Sequence, residues 1–328
     1  MRIFKTIFFF YINSTQEALR KIISLRAYVI FEDAVWRVRE ETQRTSRRND
    51  PFSCCEINLE KEFSPSMWSR RFSHHDEVIQ HHMRHAEREV LALLKYKLDI
   101  PYNSPILVFI HGGYWQELSR QQSRYPAGSL YSGGIKTIVV GYDLCPRVTL
   151  FDIVKQIQKA VKFVFEYAAE QNCRGVYFAG HSAGAHLIAS ILSDASFLSS
   201  IPNINILQGA ILVSGIYDLT SITNTSINKS LRLTQHDAKL LSPHFESFFH
   251  LKDYKFRLYI LAGQDDSFTF QKQSRDFYDM LQECCNVDNI NFEIKGGMDH
   301  FEIMETITEE ENYFKAILLE DIYKYLNR

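Results

Sequence analysis

From residue 104 onward, the chain alternates short apolar runs with longer amphipathic stretches. Six runs have strand length: Ile106–Ile110, Thr137–Tyr142, Gly175–Ala179, Gly209–Ser214, Arg257–Ala262 and Asn291–Lys295. Most are apolar nearly throughout, as expected of strands buried on both faces of a parallel sheet. The stretches Asp152–Gln171, Gly184–Asp194, Phe270–Glu283 and Thr308–Leu326 carry the helical period. This alternation predicts an α/β fold with a mostly parallel central sheet and helices on both faces. One more helix is predicted over residues 74–96, which contain neither Gly nor Pro.

Residues 1–58 differ from this pattern and read as an N-terminal extension, helical or poorly ordered. Within residues 1–50 there are 10 basic and 6 acidic side chains, a balance of +4 that leaves −6 for the rest of a chain whose net charge is −2. The polar run Thr42–Asp50 reads as a linker, with Arg44, Arg47 and Arg48 as solvated charges. The first twelve residues pair two basic side chains with an apolar burst, as a secretory leader does. Their apolar run is short and no small-residue cleavage site follows, so an ordinary helix start explains them as well.

The 328 residues include 37 Lys and Arg against 39 Asp and Glu, which argues against a general nucleic-acid coat. No apolar run reaches the roughly 18 residues that a membrane span needs. Of the six cysteines, four form the adjacent pairs Cys54-Cys55 and Cys284-Cys285, and none shows C-x-x-C spacing. Free thiols in a reducing cytoplasm are expected. His81 and His85 share a helical face at a metal-ligand spacing, but position 82 is His, where the H-E-x-x-H zinc motif needs Glu. They read, with His82, as solvated helix histidines.

Reactive residues gather where the predicted strands end. Gly180-His181-Ser182-Ala183-Gly184 follows a strand and precedes a helix, the setting that a G-x-S-x-G nucleophile elbow requires. The glycines permit a strained turn that pushes Ser182 out with φ above zero, over the positive end of the next helix. A serine hydroxyl needs a base. His300, in Gly297-Met298-Asp299-His300-Phe301 just past the last strand, is the candidate. The orienting acid should follow the fifth strand, where spacing alone leaves Asp265 and Asp266 equal. After the first strand, His111-Gly112-Gly113-Tyr114-Trp115 offers backbone N–H donors at Gly112 and Gly113. With the N–H of Ala183 they would form an oxyanion hole. His111 and His181 read as structural, shaping their loops, and His186 as packed or capped. Tyr114 and Trp115 either wall a pocket for an aromatic substrate or pack the loop.

With these motifs in view, the sequence resembles the kynurenine formamidase (arylformamidase) family, a branch of the α/β-hydrolases near the esterases. That branch carries H-G-G-x-W where related esterases carry H-G-G-G. The resemblance covers about residues 59–328. It opens at Leu59-Glu60-Lys61-Glu62-Phe63-Ser64-Pro65-Ser66-Met67-Trp68 and continues through Gly141-Tyr142-Asp143-Leu144-Cys145-Pro146 and the elbow. Its most specific pieces are Gly263-Gln264-Asp265-Asp266-Ser267 with Phe270, and Asp299-His300-Phe301-Glu302-Ile303. The family's G-x-x-D-S-x-x-F pattern places the acid at Asp266; its nucleophile and base fall on Ser182 and His300. The stretch Glu87–Ile100 is shorter than in relatives, which carry a first strand or hairpin there.

The resemblance implies hydrolysis of N-formyl-L-kynurenine to L-kynurenine and formate, in tryptophan catabolism. A broad carboxylesterase with the same triad is the alternative reading. No metal or organic cofactor is required. The expected partner is a small-molecule substrate, with no nucleic acid and no membrane, and a homodimer stays open.

Overall fold

The computed structural model describes residues 58–93, 100–255, 257–285 and 289–308, together with 316, 317, 319 and 320. The readings made for residues 1–57, and most of the helix expected over Thr308–Leu326, lie outside these residues.

Six strands form one parallel sheet: β1 (Ile106–Ile110), β2 (Lys136–Val140), β3 (Val176–His181), β4 (Leu207–Val213), β5 (Arg257–Gly263) and β6 (Ile290–Lys295). Each falls within two residues of its predicted start and end. The strand order is β2-β1-β3-β4-β5-β6. Among the described residues β2 forms one edge, where relatives were expected to carry a further strand or hairpin.

Side chains alternate across the sheet, so each strand feeds two cores. Ile106, Val108 and Ile110 of β1 enter one, while Leu107 and Phe109 enter the other. The helices divide in the same way. Residues of α1 (His75–Leu93), α2 (Pro126–Ser132) and α6 (Glu302–Glu305) pack in the core of Leu107 and Phe109. Those of α3 (Leu150–Glu170), α4 (Ala183–Leu192) and α5 (Phe268–Cys285) pack in the core of Ile106 and Val108.

Helix α3 shows how the local sequence sets an element. Thr149 and Asp152 close a reciprocal capping box at its start, a device that typically stabilises a helix by about 1 kcal/mol. Its buried residues Leu150, Ile153, Ile157, Val161, Val164 and Ala168 recur every three or four positions, forming one apolar stripe.

The strand order reverses at β1. From there β2 lies to one side and β3 to the other. The carboxyl ends of β1 and β3 therefore flank a topological switch point, where sheets of this kind open a ligand crevice.

Candidate active site

Five segments meet at the carboxyl end of the sheet. The first is the elbow between β3 and α4. Ser182 has φ 55° and ψ −119°, a strained backbone for a residue with a side chain, and its N–H donates to Val213 O at 2.8 Å. Strain of this kind persists only where the surroundings impose it. Here α4 is pressed against β1 so closely that a Cβ on Gly184 would run into the carbonyl of Ile110. Only glycine permits that approach.

The second segment is the glycine loop after β1. Gly113 has φ +95°, and a Cβ there would meet the carbonyl of Glu117. A Cβ on Gly112 would stand 3.1 Å from the Ser182 Cβ, which shows how near this loop lies to the elbow. The carbonyls around it are tied down. His111 Nδ1–H donates to Gly112 O at 2.9 Å, and the Tyr142 hydroxyl reaches His111 O at 2.9 Å and Gly112 O at 3.1 Å. In a trans peptide the N–H points opposite to its C=O. Fixing those two carbonyls therefore fixes the N–H groups of Gly112 and Gly113. Tyr142 lay in a stretch read only as family-like; its proximity to two carbonyls 30 and 31 residues away has no local sequence signal.

Trp115 belongs to the core beneath the loop. It is fully buried and packs edge-on against His186, with ring centroids 5.0 Å apart. That burial is what the loop-packing reading expects. Tyr114 is partly buried and donates its hydroxyl to Phe63 O at 2.8 Å.

The third and fourth segments bring an acid and an imidazole together. Asp266 Oδ2 lies 2.8 Å from His300 Nδ1, and both residues are buried. The other Asp266 oxygen accepts the N–H of Ser267 at 3.0 Å. Asp265 turns instead to Arg70, 3.2 Å away. Phe270 and Phe301 place ring edges near His300, at centroid distances of 4.6 and 5.2 Å. His181 Nε2–H donates to His300 O at 2.8 Å, which links the residue before the serine to the histidine loop.

The flanking histidines are neutral. Burial holds His111 and His186 down to about 4. Burial, and then electrostatic repulsion from the neighbouring imidazoles, hold His181 well below the usual histidine range. His186 Nε2–H donates to Leu241 O at 2.8 Å, as suits a packed residue.

The helix histidines need correcting. His82 and His85 are not solvated; both are buried in α1. His82 Nδ1 lies 2.9 Å from Glu305 Oε1, while His85 lies 2.9 Å from Arg88. The face they share is turned toward Tyr125 and α6, a packing that periodicity could not foresee because it depends on distant residues. Among the described residues no group of His, Cys, Asp and Glu could hold a metal ion.

The fifth segment, residues 58–71, precedes α1 and crosses the other loops. Glu62 Oε2 accepts the Thr269 N–H at 2.8 Å, at the start of α5. Arg71 reaches Asp299 and Glu305 on the far side. Sequence reasoning marked this segment as family-like but assigned it no part in the site.

A parallel sheet with a strained serine elbow at its switch point, and a buried acid–imidazole pair beside it, makes the protein an α/β-hydrolase. Solved esterases share this fold: that of Pyrobaculum calidifontis aligns with TM-score 0.57 at 15% identity, over 76% of this chain and 94% of its own. The BD-FAE family matches residues 97–281. The kynurenine formamidase of Salmo salar is 34% identical over 284 residues, covering 80% of this chain and 94% of its own. That of Danio rerio is 32% identical over 81% of this chain and 96% of its own. With such identity sustained over four-fifths of its length, the chain belongs to the kynurenine formamidase family.

Proposed function

We propose that the protein hydrolyses N-formyl-L-kynurenine to L-kynurenine and formate, with Ser182 as nucleophile, His300 as base and Asp266 as the orienting acid. One observation carries the substrate assignment: the two fish formamidases align over nearly their full lengths at about one-third identity. Residues 59–328 form the hydrolase domain in this reading. The Asp266–His300 contact of 2.8 Å supports the triad, because a carboxylate on Nδ1 holds the imidazole with Nε2 free to take a proton.

His300 removes the Ser182 proton as Oγ attacks the formyl carbon. The carbonyl oxygen becomes an oxyanion that takes hydrogen bonds from the N–H groups of Gly112, Gly113 and Ala183. His300 then gives its proton to the aromatic amine nitrogen, the C–N bond breaks, and kynurenine leaves a formyl ester on Ser182. Water, losing a proton to the same histidine, attacks that ester and releases formate and the free serine. A formyl group offers little surface, so discrimination rests on the aromatic amine side. Tyr114 is the candidate wall for that side.

The described cysteines Cys145 and Cys173 are free and buried, in keeping with a cytoplasmic setting. No helix among the described residues is long and apolar enough to cross a membrane.

The test is turnover of N-formyl-L-kynurenine by the wild type and by Ser182→Ala, beside a short-chain aryl ester. Kynurenine release that falls by about 10⁴-fold or more in Ser182→Ala is the expected result. Serine-dependent ester cleavage without kynurenine release would overturn the substrate assignment.

A further inference from the structure

Asp299, the residue before the proposed base, carries a charge in a place where charge is costly. Its side chain is 1% exposed. A buried carboxylate persists only when paired and fully hydrogen-bonded. Arg71 supplies the pairing with a two-pronged contact, Nε to Oδ2 at 2.6 Å and Nη2 to Oδ1 at 3.0 Å. The hydroxyl of Ser69 donates to the same Oδ2. Oδ1 also accepts the N–H groups of Phe301 and Glu302, at 2.9 and 2.8 Å. Asp299 thus grips the backbone on the far side of His300 while Arg71 and Ser69 grip Asp299. The remaining arm of Arg71 donates to Glu305 at 2.7 Å, within α6.

The segment that carries Arg71 also touches the other loops of the site. Phe63 O receives the Tyr114 hydroxyl of the glycine loop, Glu62 caps the start of α5, and Arg70 faces Asp265. Its contacts therefore reach the loops that carry the proposed hole, acid and base.

We propose that residues 58–71 are a positioning strap, and that Arg71 is a positioning residue that sets the His300 imidazole through Asp299. This rests on the serine-hydrolase reading above. Arg71 touches no reacting atom; its effect passes through the backbone of residues 299–302. A base displaced by about 1 Å can cost a hundredfold in rate.

The experiment follows the labelling of Ser182 by a fluorophosphonate, which reports serine activation whatever the natural substrate, in the full chain. We expect Arg71→Gln to slow labelling by about tenfold to a hundredfold. Its kcat for N-formyl-L-kynurenine should fall in proportion with KM little changed. Arg71→Lys keeps the charge but loses the fork, and should recover only part of the rate. Asp299→Asn should slow labelling similarly, and the double variant Arg71→Gln/Asp299→Asn should be no slower than the slower single one. Ser69→Ala removes one hydroxyl, so it carries the test even if Arg71→Gln fails to fold, and should give a smaller slowing of the same kind. Folded Arg71 and Ser69 variants that label at the wild-type rate, with only their melting temperatures lowered, would overturn the proposal while leaving the serine-hydrolase reading intact. A wild type that the probe leaves unlabelled would overturn both.

Discussion

The glycine loop after β1 and the histidine loop after β6 stand at the same end of the sheet, yet they are held in opposite ways. Neutral groups hold the glycine loop. Tyr142 donates to its carbonyls, His111 stacks on Tyr142 at a centroid distance of 4.3 Å, and Trp115 is fully buried beneath. Charged groups hold the histidine loop: Asp299 and Glu305 converge on Arg71, and Glu305 also meets His82. The glycine loop, proposed above to present the oxyanion-hole N–H groups, is anchored by packing and uncharged hydrogen bonds. The loop that carries His300 is anchored by ion pairs that are directional and largely buried.

The largest expected effect would break the first anchor. Trp115→Ala removes a fully buried indole and should destabilise the protein by about 3–5 kcal/mol, measured by denaturant unfolding. A loss below about 1 kcal/mol would show that the loop is not held by packing.

The two anchors should also part in acid. His111 is held down to about 4 by burial, whereas in the unfolded chain it titrates near 6.5. The unfolded state therefore binds the extra proton between those values, and stability falls as pH drops from about 6.5 to about 4. Burial would push Glu305 up, but hydrogen bonds from His82 and Arg71 outweigh it and hold the carboxyl down to about 2. Its contribution is complete above the unfolded value of 4.5 and is lost as pH falls toward about 2. Asp299 behaves likewise: burial pushes it up, and Arg71 and Ser69 hold it below the ordinary range. Unfolding free energies measured across pH should therefore fall in two windows. His111→Gln should flatten the upper window by one proton and Glu305→Gln the lower. If both variants flatten the same window, the contrast between the loops fails.

The smallest effect concerns two adjacent arginines. Arg70 pairs with Asp265 but is 81% exposed, while Arg71 is 18% exposed. Breaking this pair, whose arginine is screened by solvent although Asp265 is 10% exposed, with Asp265→Asn should cost about 1 kcal/mol, and kcat should hold. A large loss of kcat would mean that Asp265, not only Asp266, serves the base.

Much of this was legible in the chain. The runs Ile106–Ile110 and Arg257–Ala262 gave strands because an apolar stretch of that length has few other places to go. The elbow could be read because its glycines answer a local need, the tight approach of α4 to β1. The pattern around Asp266-Ser267 likewise pointed to the carboxylate that meets His300. His82 and His85 misled, because a helical period shows which residues share a face but not what that face meets.

The sequence by itself therefore determined what depends on neighbours a few residues apart: the strands, the caps, the strained serine turn and the kinds of reactive group at strand ends. Only the tertiary structure decided that Asp265 turns to Arg70, that Trp115 is fully buried against His186, and that Arg71 holds a carboxylate 228 residues away. Period and propensity act along the chain within one or two turns. Charge pairing and burial act through space, and the partners they join are chosen by the strand order of the sheet.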